Sequence, residues 1–265
     1  MSHAHDPTTT PALIRLELRA AVAEITLDNP PLNLVTRELL RELDRALSRI
    51  GAEPSVRCVI LHGGAARAFC AGSDIREFAQ LRDDASEHKI LFEDMVVRRL
   101  AGLSMPTIAA IDAPALGGGF ELALACDLRV ARSGVKLGLT ESRLGGLAAN
   151  GAVRLARLIG PSRAKELLFG GDPIDADQAF AWGMVNRVTS GSALDAAREL
   201  ADIIGKRGPL SNRLAKRLVD AAQDGPVDAA LSLSTMAQRQ IFESDDLHEG
   251  VRAFFDKRDP VFAGR

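Results

Sequence analysis

The stretch PALGGGFELALACD, residues 114–127, places three consecutive glycines directly before a run of helix-forming residues. Glycine loses more conformational entropy on folding than other residues and adds no side chain to a core. Helix formers follow at once from Phe120, so the glycines stand where a loop becomes a helix. We infer that the chain needs exposed backbone at this point rather than side chains.

A buried strand that ends in glycines and opens a helix is a general anion-binding device, because backbone N–H groups are free there and the helix N-terminus is partly positive. Residues 107–111 predict such a strand just before the glycines. A phosphate loop would need a following Gly-Lys-Ser/Thr, which is absent, and the third glycine of a dinucleotide fingerprint falls on Leu122. An oxyanion hole remains, and it needs a second donor from elsewhere in the chain.

The segment AFCAGSDIREF, residues 68–78, is the candidate for that second donor. It follows another predicted buried strand, residues 56–61, and carries Gly72 at a strand-exit turn. Since the carboxyl ends of parallel strands meet at one edge of a sheet, the two loops can lie together. One free N–H group from each could then bind a single oxygen atom.

Composition and charge exclude several classes of protein. The 265 residues are 46% apolar and 26% charged, with a net charge of −2, which argues for a globular protein without nucleic acid or a membrane surface as partner. No stretch approaches the ~20 apolar residues of a membrane span. Residues 1–10 predict a flexible tail that resembles neither a signal nor a transit peptide. Cys58, Cys70 and Cys126 match no zinc spacing, so we expect buried free thiols, no metal and a cytoplasmic location.

The order of patterns along the chain predicts an α/β core followed by helices alone. Residues 13–27 predict a hairpin, Thr36 a helix N-cap, and residues 85–103 a charged helix. Further helices are predicted from about residue 152 to 159 and from 162 to 169. Strand patterns stop near residue 190, so we predict an α/β core over residues 11–195 and a helical region over residues 196–265.

The two glycine-containing segments resemble the signature segments of the enoyl-CoA hydratase/isomerase (crotonase) superfamily. NPPLN at residues 29–33, DQAFAWGMVNRV at 177–188 and EGVRAFFDKRDPVFAG at 249–264 are also similar to the family, so the resemblance covers about residues 12–264. It implies a crotonase-like spiral core of ββα units with a C-terminal α-helical region. It also implies that this region joins copies of the chain into homotrimers or hexamers.

The resemblance implies a role for particular residues. The backbone N–H groups of Ser73 and Gly118 would form the oxyanion hole for a thioester carbonyl, and Glu121 and Glu141 would be the catalytic carboxylates. The residues implied to contact the acyl group or coenzyme A are Leu32, Ala71, Asp74, Ile75, Gly117, Phe254 and Lys257. The sequence alone also allows plainer roles, since Glu121 could complement a helix dipole and Glu141 could start a helix. Asp74 could cap a loop or line the pocket.

Two carboxyl groups in one pocket suit the addition of water to an enoyl thioester. One ionised group takes a proton from water and one protonated group delivers a proton to the neighbouring carbon. The function expected from this combination is reversible hydration of a 2-enoyl-CoA to a 3-hydroxyacyl-CoA, with coenzyme A as part of the substrate and no other cofactor. The alternatives are a double-bond isomerase or another crotonase-type acyl-CoA reaction. A non-catalytic RNA-binding homologue is the third, and the net charge argues against it.

The chain departs from the family pattern after Glu141. Ala148, Ala149 and Asn150 stand where the hydratases usually carry a proline-glycine-rich turn. In the family fold this loop lies beside the acyl end of the substrate. The departure leaves open which acyl chains are preferred and how the Glu141 side chain is oriented.

Overall fold

The computed structural model describes residues 12–265, and the tail predicted for residues 1–10 lies outside this range. The α/β class predicted from the sequence is confirmed. The strands are β1 (Ile14–Arg19), β2 (Val22–Leu27), β3 (Cys58–His62), β4 (Thr107–Ile111), β5 (Ala115–Leu116), β6 (Leu128–Arg132), β7 (Lys136–Gly138), β8 (Ile174–Asp175) and β9 (Arg187–Thr189). The predicted hairpin is the antiparallel pair β1–β2, and both predicted buried strands, β3 and β4, are present.

The main sheet has six strands in the order β1-β2-β3-β4-β6-β9, and every pair after β1–β2 is parallel. Strand β3 is buried at all its positions because helices cover both faces. Val59 and Leu61 pack into the main core, while Cys58 and Ile60 pack into a second cluster on the other face. A smaller sheet has the order β5-β7-β8.

Eleven α-helices lie within residues 12–265. They are α1 (Arg37–Gly51), α2 (Ile75–Leu81), α3 (Leu91–Ala101), α4 (Gly118–Ala125), α5 (Ala149–Ile159), α6 (Pro161–Gly170), α7 (Ala176–Ala181), α8 (Ala193–Gly205), α9 (Pro209–Asp224), α10 (Val227–Phe242) and α11 (Asp245–Asp256). Thr36 caps α1 as predicted, since its side chain accepts a hydrogen bond from the Leu39 N–H group. Across the described residues, no helix combines the length and the apolar character that a membrane span requires.

Two helix predictions differ from the structure near the site. The charged helix predicted over residues 85–103 divides into a π-helical turn, Ser86–Ile90, and α3, and it ends at Ala101. Helix α5 begins at Ala149 rather than near residue 152. No side chain caps α5, so the sequence carries no N-cap signal there, and the helix start depends on tertiary contacts of its first residues.

The C-terminal helices begin with a helix that belongs to the core. Helix α8 buries Ala197, Leu200 and Ala201 against the second face of the main sheet. The predicted division at residue 195 falls inside this helix, two residues after its start at Ala193. Pro209 opens α9, and Gly225 and Pro226 separate α9 from α10, in agreement with the joints expected from these residue types.

Candidate active site

The two glycine-containing loops lie against each other at the carboxyl ends of β3 and β4. Cys70 and Ala115 form an isolated parallel bridge, and the Leu116 N–H group donates to the Cys70 carbonyl oxygen over 2.9 Å. A Cβ atom on Gly119 would lie only 2.2 Å from that oxygen, so no larger residue fits there. Gly117 has a φ of 53°, the left-handed conformation that glycine adopts without strain. The glycine triplet therefore serves a tight turn and a close backbone approach.

Two backbone donors are free at this junction. Within residues 12–265, neither the Ser73 nor the Gly118 N–H group has a hydrogen-bond acceptor. The Ser73 nitrogen lies 3.6 Å from the position that a Cβ atom on Gly118 would take, so the two backbone segments are adjacent. Val35 holds the first loop, because it donates to the Gly72 carbonyl and accepts from the Asp74 N–H group. The arrangement suits an oxygen atom that carries developing negative charge.

Glu121 lies in the first turn of α4 and is 9% exposed. Its Oε1 atom accepts a 2.7 Å hydrogen bond from the Gly151 N–H group at the start of α5. Burial raises the pKa of Glu121 to about 7, the Gly151 hydrogen bond opposes this rise, and the charge of Glu141 adds to it. A carboxyl group with this pKa exchanges protons near neutral pH.

Glu141 begins a 3-10 turn, Glu141–Leu144, that follows β7. Its Oε1 atom lies 3.0 Å from the position of a Cβ atom on Gly117, which places the carboxyl group at the glycine turn. Its Oε2 atom is buried, and no described residue donates or accepts a hydrogen bond there. Burial is the main cause that raises the pKa of Glu141 above its ordinary value. Both predicted glutamates therefore lie at the two glycine-containing loops, which we call the oxyanion loops after the role that the sequence predicts for them. The surroundings of the two glutamates differ.

The structure adds a third carboxyl group that the sequence analysis missed. Glu93 on α3 is 6% exposed, and its carboxylate oxygens accept from the Ser73 hydroxyl group at 3.0 and 3.2 Å. Lys89, which is fully buried, lies 4.0 Å from the Glu93 carboxylate. The sequence does carry a signal for this burial: Glu93 stands at helical spacing from Val97 and Leu100, so it lies on the buried face of α3.

The remaining predicted contacts near the loops are present but differ in exposure. The Leu32 carbonyl accepts from the Ala71 N–H group over 3.0 Å, which joins NPPLN to the oxyanion loop. Asp74 caps α2 through the Arg76 N–H group and pairs with the Arg76 side chain, so it has the capping role. Ile75 is 60% exposed beside them.

Phe254 and Lys257 are not brought to this site within one chain. Both are exposed, on α11 and at its C-terminal end. The segment after α11 is held near the start of β3, where Arg57 donates to the Phe262 carbonyl oxygen. That is the opposite end of β3 from the oxyanion loops. A role for Phe254 and Lys257 at coenzyme A stays a prediction.

Comparisons with known proteins agree with this geometry. A sequence model described as enoyl-CoA hydratase/isomerase matches residues 17–265. The short-chain-enoyl-CoA hydratase of Clostridium acetobutylicum is 35% identical over 246 residues, which span 92% of this chain and 94% of the relative. The human mitochondrial methylglutaconyl-CoA hydratase is 35% identical over 88% of this chain and 70% of its own length.

A similar solved structure is the enoyl-CoA hydratase of Bacillus anthracis, with a TM-score of 0.92 and 35% identity over 96% of this chain and 100% of that one. This chain belongs to the enoyl-CoA hydratase/isomerase family.

Proposed function

We propose that the protein catalyses the reversible hydration of a 2-enoyl-CoA thioester to a 3-hydroxyacyl-CoA. The observation that carries the proposal is the pairing of the buried Glu121 carboxyl group with the half-buried Glu141, whose Oε2 atom is buried, beside two backbone N–H groups that have no acceptor among the described residues. Two glutamates within range of each other's charge resist simultaneous ionisation. One of them therefore keeps a proton, and the pair supplies one acid and one base.

The hydrogen bonds support one division of roles. The Gly151 N–H group stabilises the ionised form of Glu121, which favours Glu121 as the base that takes a proton from water. Burial raises the pKa of Glu141 and outweighs the backbone hydrogen bonds from Glu141 and Thr140 that lower it, and no described residue pairs with its Oε2 atom, which favours Glu141 as the group that holds the proton. The water oxygen bonds to C3 of the enoyl group while Glu141 delivers its proton to C2. The reverse sequence removes water.

The Ser73 and Gly118 N–H groups would bind the thioester oxygen and stabilise the negative charge that reaches it during the reaction. Donors fixed in the backbone need no reorganisation when the charge develops, and loss of one typically costs about 10²- to 10³-fold in rate. Leu32, Ala71, Ile75 and Gly117 surround these loops and would contact the thioester and the pantetheine arm. Coenzyme A enters as part of the substrate.

Assembly completes the proposed substrate site. Phe254 and Phe255 on α11 are 78% and 77% exposed, and Leu231 and Met236 on α10 are 58% and 70% exposed. Apolar surface of this extent favours contact with another subunit. We propose a trimer or hexamer in which Phe254 and Lys257 of one copy contact the coenzyme A bound to its neighbour.

The direct test is the reaction itself. Crotonyl-CoA is mixed with the purified protein, and the absorbance of the conjugated enoyl thioester is followed in the near ultraviolet. We expect a fall in absorbance and formation of 3-hydroxybutyryl-CoA, with Glu141→Gln as the inactive control. Tight binding of crotonyl-CoA without any fall in absorbance would contradict hydration.

A double-bond isomerase is the second candidate, and the unequal surroundings of the two glutamates favour it. An isomerase needs one carboxyl group that carries a proton between two carbons of the acyl chain. Glu141 has the unpartnered oxygen for this task, while Glu121 is held by Gly151. A 3-enoyl-CoA substrate distinguishes the two, since isomerisation creates the conjugated absorbance that hydration removes.

A further inference from the structure

We propose that Glu93 is a third functional carboxyl group of this site, which must carry a proton for the oxyanion hole to work. Its ionisation would place a negative charge beside the thioester oxygen and weaken binding of the enolate-like state. The inference rests on the proposed acyl-CoA function. It adds a group from α3 to the two glutamates already assigned.

The position of Glu93 is the first argument. Its Oε1 atom lies 2.8 Å from the point that a Cβ atom on Gly118 would occupy, and the Ser73 Oγ atom lies 3.0 Å from the same point. The Ser73 nitrogen lies 3.6 Å from it. The carboxyl group is therefore next to both segments that supply the oxyanion donors. An oxygen bound between those donors has Glu93 as its neighbour.

Electrostatics gives the second argument. Like charges about 4 Å apart in the partly polar interior of a protein repel strongly enough to remove much of an oxyanion hole's effect. A neutral Glu93 avoids this repulsion and still pairs with the Ser73 hydroxyl group. Burial raises the pKa of Glu93 and so favours the neutral form, while Lys89 and the Ser73 hydrogen bond oppose the rise.

The charged groups that face Glu93 come from several elements. Lys89 in the π-helical turn is the one cation among them in the described part of the chain, and its Nζ atom donates to Glu77 on α2 over 2.7 Å. Glu141 from the 3-10 turn and Glu121 from α4 add negative charge. Helix α1, which also packs on α3, buries only apolar side chains.

Lys89 is a buried cation near Glu93, but its closer ion pair is with Glu77, and this pairing is compatible with a neutral Glu93. Lys89 is 2.7 Å from Glu77 but 4.0 Å from Glu93, and it also donates to the Val35 carbonyl oxygen over 2.9 Å. Val35 is the residue that pairs with the Ser73 loop. Lys89 thus donates its hydrogen bonds to Glu77 and to the Val35 carbonyl oxygen. The hydrogen-bond partner of Glu93 is the Ser73 hydroxyl group.

The experiment measures enolate binding rather than turnover. Acetoacetyl-CoA is titrated into the wild-type protein and Glu93→Gln at pH 6 and pH 9, and its bound enolate is followed by near-ultraviolet absorption. We expect enolate binding by the wild type to weaken relative to Glu93→Gln as the pH rises, by roughly tenfold at the higher pH, because only the wild type can gain a charge beside the oxygen. Glu87→Gln, an exposed carboxyl group in the same segment, is the matched control and should behave as the wild type.

Equal affinities of the wild type and Glu93→Gln at both pH values would overturn the proposal. Weaker binding by Glu93→Gln at both values would overturn it as well, since it would assign the ionised group a favourable role. Absence of acetoacetyl-CoA binding by every variant would instead reject the acyl-CoA function and this inference with it.

Lys89→Met provides a second variant. Because the charge of Lys89 lowers the pKa of Glu93, its loss should move the pH at which enolate binding weakens to a higher value. A shift to lower pH would contradict the role of Glu93.

Discussion

Glu121 carries two opposing influences on one carboxyl group, burial and a backbone hydrogen bond. Its pKa of about 7 lies above the ordinary value of 4.5, so folding favours the protonated form. Between about pH 4.5 and 7 the unfolded chain loses this proton first, and the folded state becomes less stable as pH rises. Ionisation of Glu121 in the folded state therefore costs stability at neutral and alkaline pH.

Glu121→Gln should lower hydration activity by about 10²- to 10⁴-fold, the usual contribution of a general base. It should also stabilise the protein at pH 8 by up to about 3 kcal/mol, because an amide cannot ionise and still accepts the Gly151 hydrogen bond. The stabilisation should vanish toward pH 4. Thermal melts at both pH values measure it, with Glu199→Gln, an exposed carboxyl group on α8, as control. An equal gain in melting temperature at both pH values would show that ionisation is not the cause.

The middle and last glycines of the triplet should respond differently to the same substitution. In Gly118→Ala the new Cβ atom meets the ends of two side chains, Glu93 Oε1 and Ser73 Oγ, which can move. We expect a folded protein with at least about tenfold lower kcat/KM, since both groups border the oxyanion hole. In Gly119→Ala the Cβ atom meets the Cys70 backbone at 2.2 Å, and we expect a loss of about 1–3 kcal/mol or more in stability. The melting temperature and kcat/KM of both variants test these expectations. Full activity of Gly118→Ala would contradict the proposed oxyanion hole.

At the scale of elements, the start of α5 connects α3 to Glu121. Asn150 donates to Asp94 on α3 and accepts from Arg154, both over 2.6 Å, and the next residue, Gly151, donates to Glu121. The Ala148-Ala149-Asn150 departure from the family pattern therefore acts on Glu121, whereas the sequence had directed attention to Glu141. The start of α5, which has no capping side chain, is held in place by the Asn150–Asp94 hydrogen bond to α3.

Asn150→Ala should lower kcat by about tenfold with little change in coenzyme A ester affinity. It removes two side-chain hydrogen bonds that position the Gly151 donor, one to Asp94 and one from Arg154, and each is typically worth about 1 kcal/mol. Asn150→Asp should be worse, because it places a carboxylate against Asp94. Steady-state kinetics test both, with Asn212→Ala on α9 as a control. Wild-type kcat in Asn150→Asp would show that α5 is positioned by other contacts.

At the scale of the whole molecule, the exposed apolar side chains of α10 and α11 predict assembly. Light scattering should give the mass of a trimer or hexamer. Phe254→Ala should weaken coenzyme A ester binding while α11 keeps its contact with α10. Lys257→Asn should do the same, since asparagine tolerates the left-handed conformation that Lys257 adopts at φ 55°. A monomer that binds coenzyme A esters with unchanged affinity in both variants would contradict the shared site.

The three cysteines show how far burial can be inferred from sequence. Each is a free and buried thiol, as expected from the odd number of cysteines in the chain and from their apolar neighbours. Burial raises the pKa of Cys58, Cys70 and Cys126 to about 12, so all three stay protonated at neutral pH. They contribute packing rather than chemistry.

The sequence by itself determined the α/β class, the hairpin, the two buried strands and the two glycine loops. These features depend on neighbours in the chain: short continuous apolar runs mark β3 and β4, and a glycine run after a strand marks the turn into α4. Because parallel strands share an exit edge, the meeting of Ser73 and Gly118 also followed from local patterns. Glu121 and Glu141 came from the family motifs that these loops carry.

Only the tertiary structure decided which carboxyl groups share the site and how each is held. Glu93 and Lys89 look like solvated helix charges in the sequence, yet folding buries them against the oxyanion loops. The Gly151–Glu121 hydrogen bond joins residues 30 positions apart, and no local signal marks it. Desolvation and the proximity of like charges depend on segments that are distant in the chain, so the proton affinities that set the chemistry arise only when those segments pack together.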